Sequence, residues 1–143
     1  MIVLDANLLL YAHDSESPVH DRARSWLENT LIVEAEVGIA LVSLLAFVRV
    51  GTHPSIFRRP MTVPAAFEIV FGWLDRPNVG IVHPTRRHFE LVAELARTGK
   101  VRGADLMDAH IAALAIEHGA TLCTSDRGFA RFKGLRSEDP IGS

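Results

Sequence analysis

The hydrophobic and polar positions along the chain alternate between two periods. Met1 to Leu4 is a short apolar run that stops at a carboxylate, Asp5, as a buried parallel strand would. Ala6 to His13 reads as a short helix. Ser17-Pro18 then predicts a helix start, the hydroxyl serving as N-cap and proline taking the first helical position. Ala23, Trp26 and Leu27 supply that helix's inner stripe. Val37 to Val42 predicts a second strand, and Ser43 is placed to cap a helix running to about Val50, ended by Gly51-Thr52-His53-Pro54. After a loop over Ser55 to Met61, Thr62 caps a helix whose Ala66, Ile69, Val70 and Trp73 fall at helical spacing, and Arg76-Pro77-Asn78 closes it. Val79 to Val82 is a third strand. Thr85 is expected to cap a helix through Arg97, ended by Thr98-Gly99. Asp105 opens another through His118, with Gly119 in the position just past its end. Thr121 to Thr124 is a fourth strand, followed by a short helix around Gly128 to Phe132, and the pattern gives no assignment beyond Gly134. Strands alternating with helices imply parallel strands joined by crossovers, hence an α/β three-layer α/β/α sandwich. In such sheets ligands bind outside the carboxyl ends of the strands.

Composition narrows the class. At 143 residues, 48% apolar and 22% charged, the chain has the size and make-up of one globular domain, taken as residues 1–143. The longest nearly unbroken apolar run, Val37 to Val48, is too short for a membrane span of about 20 residues. The N-terminus has no basic leader and carries Asp5 inside its apolar run, so it does not read as a signal peptide. The single Cys123 excludes an internal disulfide and a thiolate metal cluster. These features point to the cytoplasm and to no membrane partner. A net charge of −2 argues against coating nucleic acid by bulk electrostatics. All basic residues but Lys100 and Lys133 are arginine, which suits bidentate phosphate contacts and also fits a GC-rich genome.

The candidate chemistry is acidic. Asp5 follows Ile2-Val3-Leu4 directly, with Asn7 two residues on. Asp105 and Asp108 share one face at the start of the helix that carries His110 and Ile111, where the amides and the dipole favour anions. Asp126 follows the fourth strand. Each acid has a plainer role available as a helix cap. Asp5, Asp108 and Asp126 are nevertheless expected to converge at one end of one sheet. Convergent carboxylates raise one another's pKa unless a cation neutralises them, and an oxygen-only donor set suits Mg²⁺ or Mn²⁺. Such an ion would serve metal-assisted phosphodiester hydrolysis.

These residues in this order resemble a PIN-domain ribonuclease, specifically the VapC-type toxins of bacterial type II toxin–antitoxin pairs. The resemblance rests on LDANLLLYA at 4–12, FVRVGTHP at 47–54 and DAHIAALAIEHGATLCTSDRGFARFKGLR at 108–136. It implies catalytic and metal-holding roles for Asp5, Asp108 and Asp126, the third acid of the family falling on Asp108 rather than Asp105. It puts Asn7 beside the first acid, a supporting hydroxyl at Thr124 or Ser125, of which Ser125 is assigned, and Arg49 on the helix after the second strand. It also implies a four- to five-stranded parallel sheet, Mg²⁺ or Mn²⁺ dependence, an RNA substrate, a homodimer and a cognate antitoxin.

Two positions depart from the family pattern. The usual second acid falls on Ala46, and an acid often found two residues after the fourth falls on Gly128. Glu34 and Glu36 precede the second strand and belong at its opposite end, so they do not replace the missing acid; Asp105 is a candidate to compensate. The expectation is a metal-dependent endoribonuclease. The alternative is a catalytically impaired PIN module that binds antitoxin and RNA without cutting. An aspartyl phosphatase is a weaker third reading, since it would want a second Asp where Asn7 stands. His110 should point away from Asp108 into packing, and the remaining histidines form no ligand spacing.

Overall fold

The structure, a computed structural model, describes residues 1–142. It contains five strands, β1 (Ile2–Leu4), β2 (Val37–Ala40), β3 (Val79–Val82), β4 (Thr121–Cys123) and β5 (Arg136–Glu138), all parallel in the order β3-β2-β1-β4-β5. The helices are α1 (Ala6–Tyr11), α2 (His20–Val33), α3 (Leu41–Gly51), α4 (Val63–Leu74), α5 (His88–Thr98) and α6 (Leu106–Glu117). The expected sandwich of parallel strands between helical layers is the architecture found, with the fifth strand lying in the tail that carried no assignment.

Alternation along the strands feeds two cores. Leu4, Val37, Ile39, Val79 and Cys123 pack with α1 to α4, around Leu8, Leu9, Leu27, Phe47 and Trp73. Val3, Ala40, Val82 and Leu122 face the other way, onto α5, α6 and the pair Phe129 and Phe132. The run Ile111 to Ala115 is almost fully buried, and its small side chains let α6 lie close on the sheet. Gly38 is a second close approach, since a Cβ there would collide with Val82 Cγ2.

Most elements fall where the pattern places them, and the exceptions are at their ends. α2 starts at His20 rather than Pro18, and the Ser17 hydroxyl accepts from Val19 N at 3.2 Å within a turn instead of capping a helix. β2 stops at Ala40, and α3 begins at once. Ser43 is therefore inside α3, 1% exposed, and caps nothing. Thr85 does not cap α5, which begins three residues later; it donates from N and Oγ1 to Glu117 instead, at 3.2 and 3.0 Å. Thr62 does cap α4, accepting from Ala65 N at 3.2 Å. Gly119 follows α6 with φ of 63°, the left-handed conformation that ends a helix at low cost in glycine. No helix among the described residues is long and apolar enough to cross a membrane.

Candidate metal and phosphodiester site

Asp5 is the residue at which β1 turns into α1. Its backbone N–H closes the β1–β4 ladder by donating to Cys123 O at 3.0 Å, and its side chain, 8% exposed as a residue, ends at the carboxyl edge of the sheet. Asp5 Oδ1 accepts from Ala6 N at 2.8 Å, so the capping role is real. Asp5 Oδ2 accepts from Thr124 Oγ1 at 2.7 Å. That hydroxyl is the centre of a small network, accepting in turn from Asp126 N at 3.0 Å and Asn7 Nδ2 at 3.4 Å. Thr124 thus ties the first acid, its polar neighbour and the backbone of the fourth acid together. Ser125, assigned as the supporting hydroxyl, lines a separate groove with Tyr11, Pro18 and Arg22, and Thr124 takes its place at the site. Direction decides between the two, because neighbouring residues at a strand end point to opposite faces.

Asp126 is exposed and caps the short 3-10 turn at Arg127–Arg131, accepting from Gly128 N at 2.8 Å. A side chain at position 128 would start 3.0 Å from Asp126 Oδ1, so glycine leaves this carboxylate room. Asp108 is half-buried in the first turn of α6. Asp105, at the N-terminal boundary of α6, is exposed and makes no capping bond; Arg131 Nη1 lies 3.7 Å from its Oδ2. Arg49 and Ala46 line a cleft of about 290 Å³ between α3 and α6, whose inner wall includes Asp5. His110 is not simply packed: its Nδ1 lies 2.7 Å from His88 Nε2, and His88 Nδ1 is 2.7 Å from Glu117 Oε1.

The carboxylates sense one another. Burial pushes the Asp5 carboxyl above its ordinary range and Asp126 adds to this, while the bonds from Thr124 and Ala6 oppose it. Asp108 is pushed up to about 6, first by burial, then by the charges of Asp126, Asp5 and Asp105, against a weak opposing pull from Arg131. The donor set fits a hard divalent cation in chemistry and charge. It is all oxygen, its carboxylates repel one another with an opposing pull from Arg131, and the buried Asn7 Oδ1 beside Thr124 has no hydrogen-bond partner. As they stand, no three His, Cys, Asp or Glu side chains among the described residues are gathered closely enough to share an ion.

Comparison with known proteins places this edge in context. The PIN domain family model matches residues 2–135. The chain belongs to the PIN domain family. The ribonuclease VapC37 of Mycobacterium tuberculosis is 43% identical over 141 residues, covering 98% of this chain and 97% of the relative. Ribonuclease VapC43 of the same species is 35% identical, covering 99% and 96%. The VapBC2 complex of Rickettsia felis, bound to a DNA fragment from its promoter, contains a chain that superposes with a TM-score of 0.65 at 26% identity, covering 96% of this chain and 98% of that one. Membership in this family therefore extends over nearly the whole chain, including the segment that carries Ala46.

Proposed function

We propose that this chain is a divalent-metal-dependent endoribonuclease of VapC type, acting on RNA phosphodiester bonds and held in check by a cognate antitoxin. The observation that carries the reading is the meeting of Asp5, Asp108 and Asp126 at the carboxyl edge of the sheet, where Asp108 is pushed up to about 6, first by burial and then by the charges of its acidic neighbours, with an opposing pull from Arg131. A site that spends folding stability on facing carboxylates has a cation as its natural partner. The relatives' names, those of ribonucleases, add weight to RNA cleavage and none to the impaired alternative.

Asp5, Asp108 and Asp126 would hold Mg²⁺ or Mn²⁺, with Asn7 Oδ1 as a further oxygen. The bound ion would supply an activated water and offset charge on the scissile phosphate. The chain's own part is positioning. Thr124 and Ala6 N fix both oxygens of Asp5, and Arg49 at the cleft wall offers a guanidinium to a phosphate oxygen. Asp105, 3.7 Å from Arg131, adds negative potential at Asp108.

An antitoxin partner is proposed on the same kinship, since the Rickettsia felis neighbour is a VapBC assembly. Apolar surface is available for protein partners, including a homodimer, along one face of α4, where Val63, Phe67 and Phe71 are 51, 39 and 58% exposed. A cytoplasmic location belongs to this reading.

The test is incubation of structured cellular RNAs with the unaltered chain, Asp5→Asn and Ala46→Glu, each with Mg²⁺, Mn²⁺ or EDTA. Discrete cleavage by the unaltered chain that vanishes with EDTA and in Asp5→Asn is the expected result. Cleavage only after Ala46→Glu would assign the impaired module instead, and full activity in Asp5→Asn would remove the proposal.

A further inference from the structure

The segment joining α5 to α6 packs against the 3-10 turn that follows Asp126. A Cβ at Gly99 would lie 3.2 Å from Phe132 Cε1 and 3.3 Å from Arg131 Cγ. Farther along the segment, Asp105 Oδ2 is 3.7 Å from Arg131 Nη1. Around these two contacts stand Lys100, Arg102, Arg127, Arg131 and Lys133, all exposed, and they include both lysines of the chain. Asp105 is the only carboxylate on residues 99–105 and 127–133. Among the described residues, Lys100, Arg102, Arg127 and Lys133 enter no ion pair. Arg131 is anchored, its Nε donating to Gly128 O at 3.0 Å. Lys100 has a φ of 53°, in the left-handed region that glycine enters at lower cost. Lysine there is the costlier choice, and what distinguishes it from glycine is a cation beside the acidic edge.

We infer that these two segments form a cationic shoulder that holds the RNA backbone several nucleotides away from the linkage being cut. The inference rests on the nuclease reading and names a second contact with the same substrate. A chain of net charge −2 whose acids gather at one edge repels a polyanion there, so capture needs a local positive surface. Unpaired ammonium and guanidinium groups attract phosphates in series without reading the bases. The shoulder adjoins the acids through Asp126, which caps the same turn. None of its residues lines the cleft that holds Ala46 and Arg49, so it is a separate surface. Its contacts govern how tightly a long RNA is held and leave the bond-breaking step alone.

The test is fluorescence anisotropy in EDTA, with a labelled RNA hairpin of about 20 nucleotides and a labelled trinucleotide as probes. The triple variant Lys100→Gln, Arg102→Gln, Lys133→Gln should bind the hairpin at least tenfold more weakly than the unaltered chain and the trinucleotide equally well. Its plot of log affinity for the hairpin against log salt should be shallower by about two. The triple variant Arg24→Gln, Arg58→Gln, Arg59→Gln removes the same charge elsewhere and should change hairpin binding less than twofold. Lys100→Gly relieves the left-handed backbone, so it should weaken hairpin binding without lowering the melting temperature. Equal weakening by the two triple variants would reduce the effect to net charge, and equal weakening of the trinucleotide would put these residues at the scissile linkage. Either result overturns the inference. So does displacement of the hairpin by polyglutamate as readily as by unlabelled RNA, which would give the patch to an acidic protein. Cleavage of the hairpin with Mn²⁺ is read in parallel: the first triple variant should raise KM, with kcat and calorimetric Mn²⁺ affinity within twofold of the unaltered chain. Binding that depends on the shoulder, without cleavage by the unaltered chain, would retain the shoulder and remove the nuclease. Cleavage indifferent to the shoulder would do the reverse.

Discussion

Asp5 and Glu117 are both buried carboxylates, and the molecule treats them in opposite ways. Glu117, with a side chain 8% exposed, accepts from Thr85 N and Oγ1 and from His88 Nδ1, at 3.2, 3.0 and 2.7 Å. His88 Nε2 lies 2.7 Å from His110 Nδ1, so the chain of bonds continues across the α5–α6 interface. Asp5 has two donors and faces like charge from Asp126, and its carboxyl sits above the ordinary range. The Glu117 cluster is closed: its charge is met within the protein, and it fastens two helices. The Asp5 edge is open, with Asn7 Oδ1 lacking a partner and Asp108 pushed up to about 6. The fold supplies the Glu117 carboxylate with three donors and no neighbouring carboxylate among its bonded partners, whereas at the Asp5 edge like charges stay near one another and an amide oxygen goes unpaired.

The strongest way to break this contrast is to neutralise the open side. Asp5→Asn should lower metal-dependent RNA cleavage by on the order of a hundredfold or more, measured as initial rates, while the chain stays folded. The mirror experiment is Glu117→Gln, which should cost about 1–3 kcal/mol of stability by denaturant unfolding. Cleavage per folded molecule should be unchanged in that variant. Loss of activity without loss of stability there would mean that the closed cluster serves the reaction.

The pH dependence sharpens the comparison. Because the Asp108 pKa is raised in the folded state, the native state binds its proton more tightly than the unfolded chain does. Its favourable contribution is full below the ordinary 3.8 and is lost as pH rises through about 6. Metal-free Asp108→Asn should therefore be more stable than the unaltered chain at pH 7, by about 1–2 kcal/mol after discounting for solvent screening. The gain should disappear below pH 4. The smallest expected effect is that of Thr124→Val, about 0.5–1.5 kcal/mol in stability, with Thr124→Ser restoring most of it. Cleavage in Thr124→Val should fall less than in Asp5→Asn, since the carboxylate remains and only its anchor is lost.

The open site was largely legible in the sequence, and the closed one was not. Asp5 announces itself because a β-branched strand ends on it, and Asp126 because it follows the fourth strand with a helix-capping pattern. Asp108 stands on a helical face three residues from Asp105, and the structure engages Asp105 with Arg131. Thr124 against Ser125 could not be settled by spacing, because the choice turns on which way the residues just past the end of β4 point. Glu117 and His88 are 29 residues apart and on different helices, so no local pattern joins them. Ser43 was misplaced for a related reason: β2 passes into α3 at Ala40–Leu41 without a polar break, and an unbroken apolar run hides where one period gives way to the other.

Calorimetric titration of Mn²⁺ into the unaltered chain, Asp5→Asn and Asp108→Asn tests most directly whether the open carboxylates are held for a cation, and it needs no knowledge of the RNA. One site is expected at pH 7.5, weakened at least about tenfold in each variant, and weakening in the unaltered chain as pH falls through about 6 and Asp108 takes up its proton. Equal affinity in all three proteins, or heat that does not depend on pH across that range, would contradict it.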